Sequence, residues 1–328
     1  MNSIQEKDFQ TTVIDITKDE PNNEVEDYST EEKKEEEETD LNKKSTQSEK
    51  EKPKKINSYN YGTAINVNNH KMIVDIKGES NEPTIVFLTG FITPSPVINY
   101  RPLSELLSKT YKFIIIEPFG YGLSDSVDEE RTIENVTAEL HRCIEQLHLK
   151  NYYLMAHSLG VVGFIGFDTI APKINSFDDS GNKDSLAKGA KTAYWFNLLG
   201  LNRMMSLFNK SNLIIHLSKR FKYTDEEISM FRNIELAKSI NKNIVSEGEN
   251  TIRGLEVIDN MKFPKNMTLL HYLSTQNTNG VSNFKQCHID VGSESLSNEV
   301  IILEGKHYDF LIQHNDEITK KLSTFFKK

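Results

Sequence analysis

Tyr152-Tyr153-Leu154-Met155-Ala156-His157-Ser158-Leu159-Gly160 is the stretch whose reading decides the fold. An apolar run leads into small–x–Ser–x–Gly, the pattern of a nucleophile elbow, a sharp strand-to-helix turn that pushes one side chain into the open. Small residues at 156 and 160 suit such a turn, because neighbouring backbone crowds it and a Cβ there is costly. The pentapeptide alone is a loose motif. Its weight comes from what surrounds it.

Working outward, residues 84–88 and 112–116 are continuous apolar runs of the kind found in strands covered on both faces. Residues 61–66 and 71–76 are β-rich, with Asn68-Asn69 between them as a hairpin turn. Ile133, Val136, Leu140, Cys143, Ile144 and Leu147 recur near helical spacing, predicting a helix over 132–149 just before the Tyr152 strand. A short helical pattern covers 103–107, strands are predicted at 267–273 and 300–303, and a closing helix at 317–326. Strands alternating with helices predict an α/β fold with a mainly parallel sheet flanked by helices. No internal repeat is visible.

Four short blocks then stand at strand ends: Thr89-Gly90-Phe91, Glu117-Pro118-Phe119-Gly120-Tyr121-Gly122-Leu123-Ser124-Asp125, Ala156 to Gly160, and Glu304-Gly305-Lys306-His307-Tyr308. In this order they resemble the α/β-hydrolase fold family over about residues 58–328, most closely its esterase, lipase and haloperoxidase-like branch of serine hydrolases. The resemblance implies Ser158 as nucleophile, His307 as base, and the backbone N–H groups of Phe91 and Leu159 as the oxyanion hole. The chemistry is coherent. A serine hydroxyl needs a base within hydrogen-bond reach, an imidazole titrates near working pH, and a tetrahedral intermediate needs donors aimed at its oxygen. The implied activity is hydrolysis of a small-molecule carboxylic ester through an acyl-enzyme. Ser rather than Asp at 158 argues against the epoxide-hydrolase and haloalkane-dehalogenase branches, whose covalent intermediate needs a carboxylate. The alternative is a catalytically impaired binding protein that keeps the fold.

No cofactor or metal is called for. The Gly120/Gly122 pair lacks the third Gly of a dinucleotide loop and reads as a tight turn beside the site. His141, His148, His271 and His288 have no metal spacing and read as surface or satisfied core histidines; His157 reads as a packing residue.

The acid of the triad is less plain. Asp168, in Gly166-Phe167-Asp168-Thr169, is the first choice, Asp290 and Glu294 are weaker, and Asn277 could orient the histidine less efficiently. Residues 161–168 carry a conflict. Their β-branched and aromatic residues and two glycines read as a strand. Yet a strand at 162–167 leaves only two or three residues for a crossover that ordinarily takes about a dozen. Connectivity is the harder constraint. It favours a nucleophile helix over 161–168, with Asp168 away from His307 and the sheet irregular near Ser158.

Residues from about 171 to 265 read as an inserted helical lid. Helices are expected over 192–208 and 224–240, the second opened by a Thr224/Glu227 capping box. Tyr194, Trp195, Phe196, Met204, Met205 and Phe208 are candidates to line an apolar acyl pocket.

Residues 1–55 hold 17 Asp/Glu against 10 Lys, most of the whole chain's formal charge of −9, and only two aromatics, Phe9 and Tyr28. Residues 1–57 are therefore expected to be a disordered acidic tail, and 58–328 the hydrolase domain. The remainder is nearly neutral, which offers no nucleic-acid surface. Two cysteines, no signal-peptide pattern and no run near the ~18 apolar residues of a membrane span suggest a soluble cytoplasmic protein. Oligomeric state is not legible.

Overall fold

A computed structural model describes residues 11–15, 56–158, 165–174, 192, 194, 223–259 and 261–327. Its strands are β1 (Thr11–Asp15), β2 (Thr63–Val67), β3 (His70–Lys77), β4 (Thr84–Leu88), β5 (Lys112–Glu117), β6 (Tyr153–His157), β7 (Ile165–Phe167), β8 (Thr268–Ser274) and β9 (Ser297–Leu303). They form one nine-stranded sheet in the order β1-β9-β8-β7-β6-β4-β5-β3-β2. Only the β2–β3 and β3–β5 pairings are antiparallel. The Asn68-Asn69 turn has φ of 53° and 65°, the double left-handed geometry of a tight hairpin.

The continuous apolar runs are explained by two helical layers. Ile85, Phe87, Phe113 and Ile115 face one layer, where Leu103 and Leu107 of α2 (Arg101–Leu107) meet Ile318 and Leu322 of the closing helix Asn315–Phe325. α1 (Pro96–Asn99) precedes α2. Val86, Leu88, Ile114 and Ile116 face the other layer, against Leu140, Cys143 and Ile144 of α3 (Ile133–Gln146). Full burial of one such side chain contributes about 1.5–3 kcal/mol, so packing on both faces, rather than strand propensity, holds these strands in place.

The Gly120/Gly122 turn is shaped by a buried carboxylate at the end of β5. Glu117 accepts hydrogen bonds from Tyr61 Oη (2.8 Å), Ser95 Oγ (3.1 Å), Leu123 N (2.8 Å) and Val97 N (3.2 Å). Gly122 has φ +48°, and a Cβ there would lie 1.8 Å from Glu117 Oε2. The carboxylate thus needs a glycine beside it, as the reading of a tight turn near the site requires.

Two expectations are corrected. The first concerns the tail: Thr11–Asp15 forms β1, in parallel register with Asn298 to Ile302 of β9. Composition averaged over the whole segment passes over a five-residue, β-branched stretch able to extend an open sheet edge. The other residues of the tail lie outside the described residues.

The second concerns residues 161–168. The helix expected there is not the structure adopted by its C-terminal half. Ile165–Phe167 is a strand, parallel to β6 with Met155 opposite Ile165, and parallel to β8. The strand starts later than 162, leaving six residues, 159–164, between Ser158 and Ile165. Six such residues reach ~20 Å when extended. The return along a three-residue strand needs only ~10 Å, with a ~4.8 Å sideways step. Residues 159–164 themselves, and with them Leu159, lie outside the described residues.

In the expected lid, α4 (Asp225–Lys238) opens with the anticipated capping box: Glu227 N donates to Thr224 Oγ1, and Thr224 N to Glu227 Oε2. Its Phe231 and Ile234 pack on Ile73, Ile98 and Leu123. α5 (Lys242–Ile258) was not legible, because Gly248 and Gly254 dilute its helical pattern. The helix expected over 192–208 lies outside the described residues, apart from Thr192 and Tyr194. The chain continues through α6 (Thr275–Gly280), α7 (Phe284–Val291), α8 (Phe310–Gln313) and the closing helix α9 (Asn315–Phe325). No helix among the described residues is long and apolar enough to cross a membrane.

Candidate active site

Ser158 follows β6 with φ +58°, a left-handed conformation that a non-glycine residue adopts at a cost. Backbone bonds on both sides hold it there. Ser158 N donates to Phe167 O (3.0 Å), and Ile170 N donates to Ser158 O (3.2 Å). Opposite stands Gly90, where a Cβ would lie 2.7 Å from Ser158 Cβ and 3.3 Å from its Oγ. The glycine after β4 is therefore required by the elbow. Phe91, next in the chain, is buried and packs on Tyr121 and Ile244.

His307 stands on the same sheet edge, after β9. Its backbone N–H donates to Gln276 Oε1 (2.8 Å). Its Nδ1 lies 3.0 Å from Asp168 Oδ2 and 3.2 Å from Asn277 Nδ2. A carboxylate can only accept, so Nδ1 carries the proton and Nε2 keeps its lone pair. Asp168, 2% exposed, is fixed from behind by Ser274 N, which donates to its Oδ1 at 2.6 Å. Asp168 is thus on His307, contrary to the consequence drawn from the helix reading. The cause is register: β7 places it directly beyond Phe167, at the sheet edge.

The weaker candidates for the acid lie elsewhere. Asp290 accepts from Gln286, and Glu294 pairs with Lys262 and Lys265 on the surface.

His157 does more than pack. It is fully buried, its Nε2 lies 2.9 Å from the His307 carbonyl, and its Nδ1 lies 2.9 Å from Tyr100 Oη. The carbonyl accepts, so Nε2 bears hydrogen and Nδ1 accepts from the tyrosine. Its ring stacks on that of His307, with centroids 4.6 Å apart. Burial, reinforced by His307, pushes its pKa down to about 3 and keeps it neutral. The sequence signal was only its place beside Ser158.

His271 corrects another reading. It is fully buried, but neither ring nitrogen has a hydrogen-bond partner among the described residues. Burial, then neighbouring His288, holds its pKa well below the usual histidine range. Because the folded state binds fewer protons than the unfolded state, this histidine costs stability as pH falls below about 6.5. His157 and His288, also depressed by burial first, act in the same direction. Glu247, raised by burial to about 7, acts oppositely between about 4.5 and 7. We therefore expect His271→Leu to raise the thermal midpoint at pH 7.5, by roughly 1–3 kcal/mol of stability. It should also make the loss between pH 6.5 and 5 shallower by up to about 2 kcal/mol. An unchanged or lower midpoint by calorimetry would refute this account.

Comparison with solved structures bears on the whole arrangement. Epoxide hydrolase VrEH1 from Vigna radiata superposes with a TM-score of 0.61 at 18% identity, covering 81% of this chain and 98% of that one. A loop variant of haloalkane dehalogenase DbeA from Bradyrhizobium elkanii gives 0.52 at 16% identity, covering 80% and 95%. The chain has the α/β-hydrolase fold. The fold expected from sequence is the one found, although both neighbours come from the branches that Ser158 argued against. At such low identity the likeness extends to the α/β-hydrolase fold alone, and the site must be argued from its own residues. The uncharacterized protein YbdG of Bacillus subtilis (strain 168) is 30% identical over 99 residues, spanning 30% of each chain. No family model matches.

Proposed function

We propose that this α/β-hydrolase-fold protein is a serine hydrolase that cleaves a small-molecule carboxylic ester. The supporting observation is the 3.0 Å contact between His307 Nδ1 and buried Asp168, on the sheet edge where Ser158 stands on its positive-φ turn. In this reading His307 Nε2 takes the Ser158 Oγ proton as Oγ bonds to the ester carbon. The resulting oxyanion is met by the Phe91 and Leu159 N–H groups. His307 then returns the proton to the departing alkoxide as the C–O bond breaks. Water, deprotonated by His307, releases the acid and regenerates Ser158. Asp168 holds the Nδ1–H tautomer throughout.

Residues 58–328 form the catalytic unit in this proposal, with about 171–265 as its lid and Thr11–Asp15 of the acidic tail added at the sheet edge. A reducing, cytoplasmic setting suits the two buried free thiols, Cys143 and Cys287. A second reading, a binding protein with impaired chemistry, draws support from the short link between β6 and β7.

A fluorophosphonate probe separates the two. Labelling of the wild type that is lost in Ser158→Ala is expected. Folded wild-type protein that takes no label would favour the binding protein.

A further inference from the structure

His307 stands in the turn between β9 and α8, and the backbone of that turn does not fix it. Neither its N–H nor its C=O bonds to another backbone group among the described residues. Both are taken by side chains. Gln276 Oε1 accepts from the N–H at 2.8 Å, and His157 Nε2 lies 2.9 Å from the carbonyl oxygen. With Asp168 at Nδ1, three side chains from the ends of β8, β6 and β7 locate the residue.

The three contacts are not equivalent. His157 is the last residue of β6 and the neighbour of Ser158, so its bond ties the base to the nucleophile's own strand. Asp168 and Gln276 reach His307 from other strands. His157 is in turn held at its second nitrogen. With Nε2 donating to a carbonyl, Nδ1 needs a donor, and Tyr100 Oη supplies it at 2.9 Å. Tyr100 is buried at the junction of α1 and α2, with its ring 4.5 Å from that of Phe87. Its hydroxyl stands beside Thr89, Thr93 and the backbone of Gly90, the glycine that must lack a Cβ to clear Ser158. The rings add orientation. His157 lies over His307 with 29° between their planes, and Tyr308 meets both edge-on, at 5.5 Å and 4.7 Å. Much depends on such a link, because a ~1 Å misplacement of a reacting group can cost about 10²-fold in rate.

We propose that His157 is a positioning residue: its Nε2–H holds the His307 carbonyl and so sets the base relative to Ser158, with Tyr100 fixing the tautomer that this requires. The proposal rests on the reading of Ser158 and His307 as nucleophile and base. In it His157 exchanges no proton with the substrate.

Three substitutions separate the contacts. His157→Phe keeps the ring stack and loses both hydrogen bonds. His157→Asn places an amide oxygen where Nδ1 accepts from Tyr100, but is too short to reach the His307 carbonyl. His157→Gln places an amide N–H where Nε2 donates. On a short p-nitrophenyl ester, His157→Phe and His157→Asn are each expected to lower kcat by about 10–100-fold, with KM within about threefold of wild type. His157→Gln should keep kcat within about threefold. Should His157→Phe fail to fold, the comparison of His157→Asn with His157→Gln decides alone. Equal kcat in that pair, or a loss carried by KM, would overturn the proposal. If wild type neither hydrolyses any ester nor takes the fluorophosphonate, the hydrolase reading falls by itself. The Nδ1–H proton resonance of His307, identified by its absence from His307→Ala, then decides the link. Exchange with water about tenfold or more faster in His157→Asn than in His157→Gln sustains it, and equal rates end it.

Discussion

Ser158→Ala and His307→Ala are each expected to lower turnover of a short p-nitrophenyl ester by about 10³–10⁶, with the double variant scarcely worse than either alone. The reason lies in what each group does for the other. Without a base the serine hydroxyl stays protonated, and without the hydroxyl the imidazole has no proton to take. Removing one therefore removes the function of both. What remains is the contribution of the backbone donors and of binding, which neither substitution touches. KM should change little, because the alanine variants keep the backbone at 158 and 307. Steady-state kinetics on the three variants, with folding checked by circular dichroism, is the measurement. Losses that multiply in the double variant would mean that the two residues act independently, and the shared nucleophile–base pair would have to be given up.

Much of this arrangement was legible because it rests on short-range rules. The runs at 84–88 and 112–116 read as strands since both faces are covered, and Thr224 with Glu227 announced a helix start that the structure caps as expected. The shared sheet edge of Ser158 and His307 was legible from motif and order. What failed were balances between competing constraints. Whether 161–168 returned as helix or strand depended on where the strand began, and three residues more of connection were enough to admit the strand. β1 depended on a partner almost 290 positions away, Asn298 to Ile302, which no local pattern announces. The roles of His157 and His271 were hidden for a related reason. A histidine's meaning lies in its partners, and one of these donates to the His307 carbonyl while the other has none among the described residues.

Asp168→Asn should lower kcat by about 10²–10⁴ while leaving KM within a few-fold of wild type. The buried carboxylate serves two donors, Ser274 N through Oδ1 and His307 Nδ1 through Oδ2. An asparagine has one acceptor for those two donors. The Ser274 N–H cannot change its role, so the amide oxygen stays with it and the amide NH₂ turns to His307. Nδ1 must then accept, which moves the proton to Nε2 and leaves the base without a lone pair for Ser158. Loss of activity by the wrong tautomer, rather than by unfolding, can be recognised through Asn277, whose amide already lies 3.2 Å from the same Nδ1. Adding Asn277→Asp to the Asp168→Asn variant places a carboxylate beside Nδ1 and should recover at least tenfold in kcat. The thermal midpoint need not recover with it, since Ser274 N keeps the asparagine. A kcat within about threefold of wild type in Asp168→Asn, at matched pH and full folding, would show that His307 does not depend on this carboxylate.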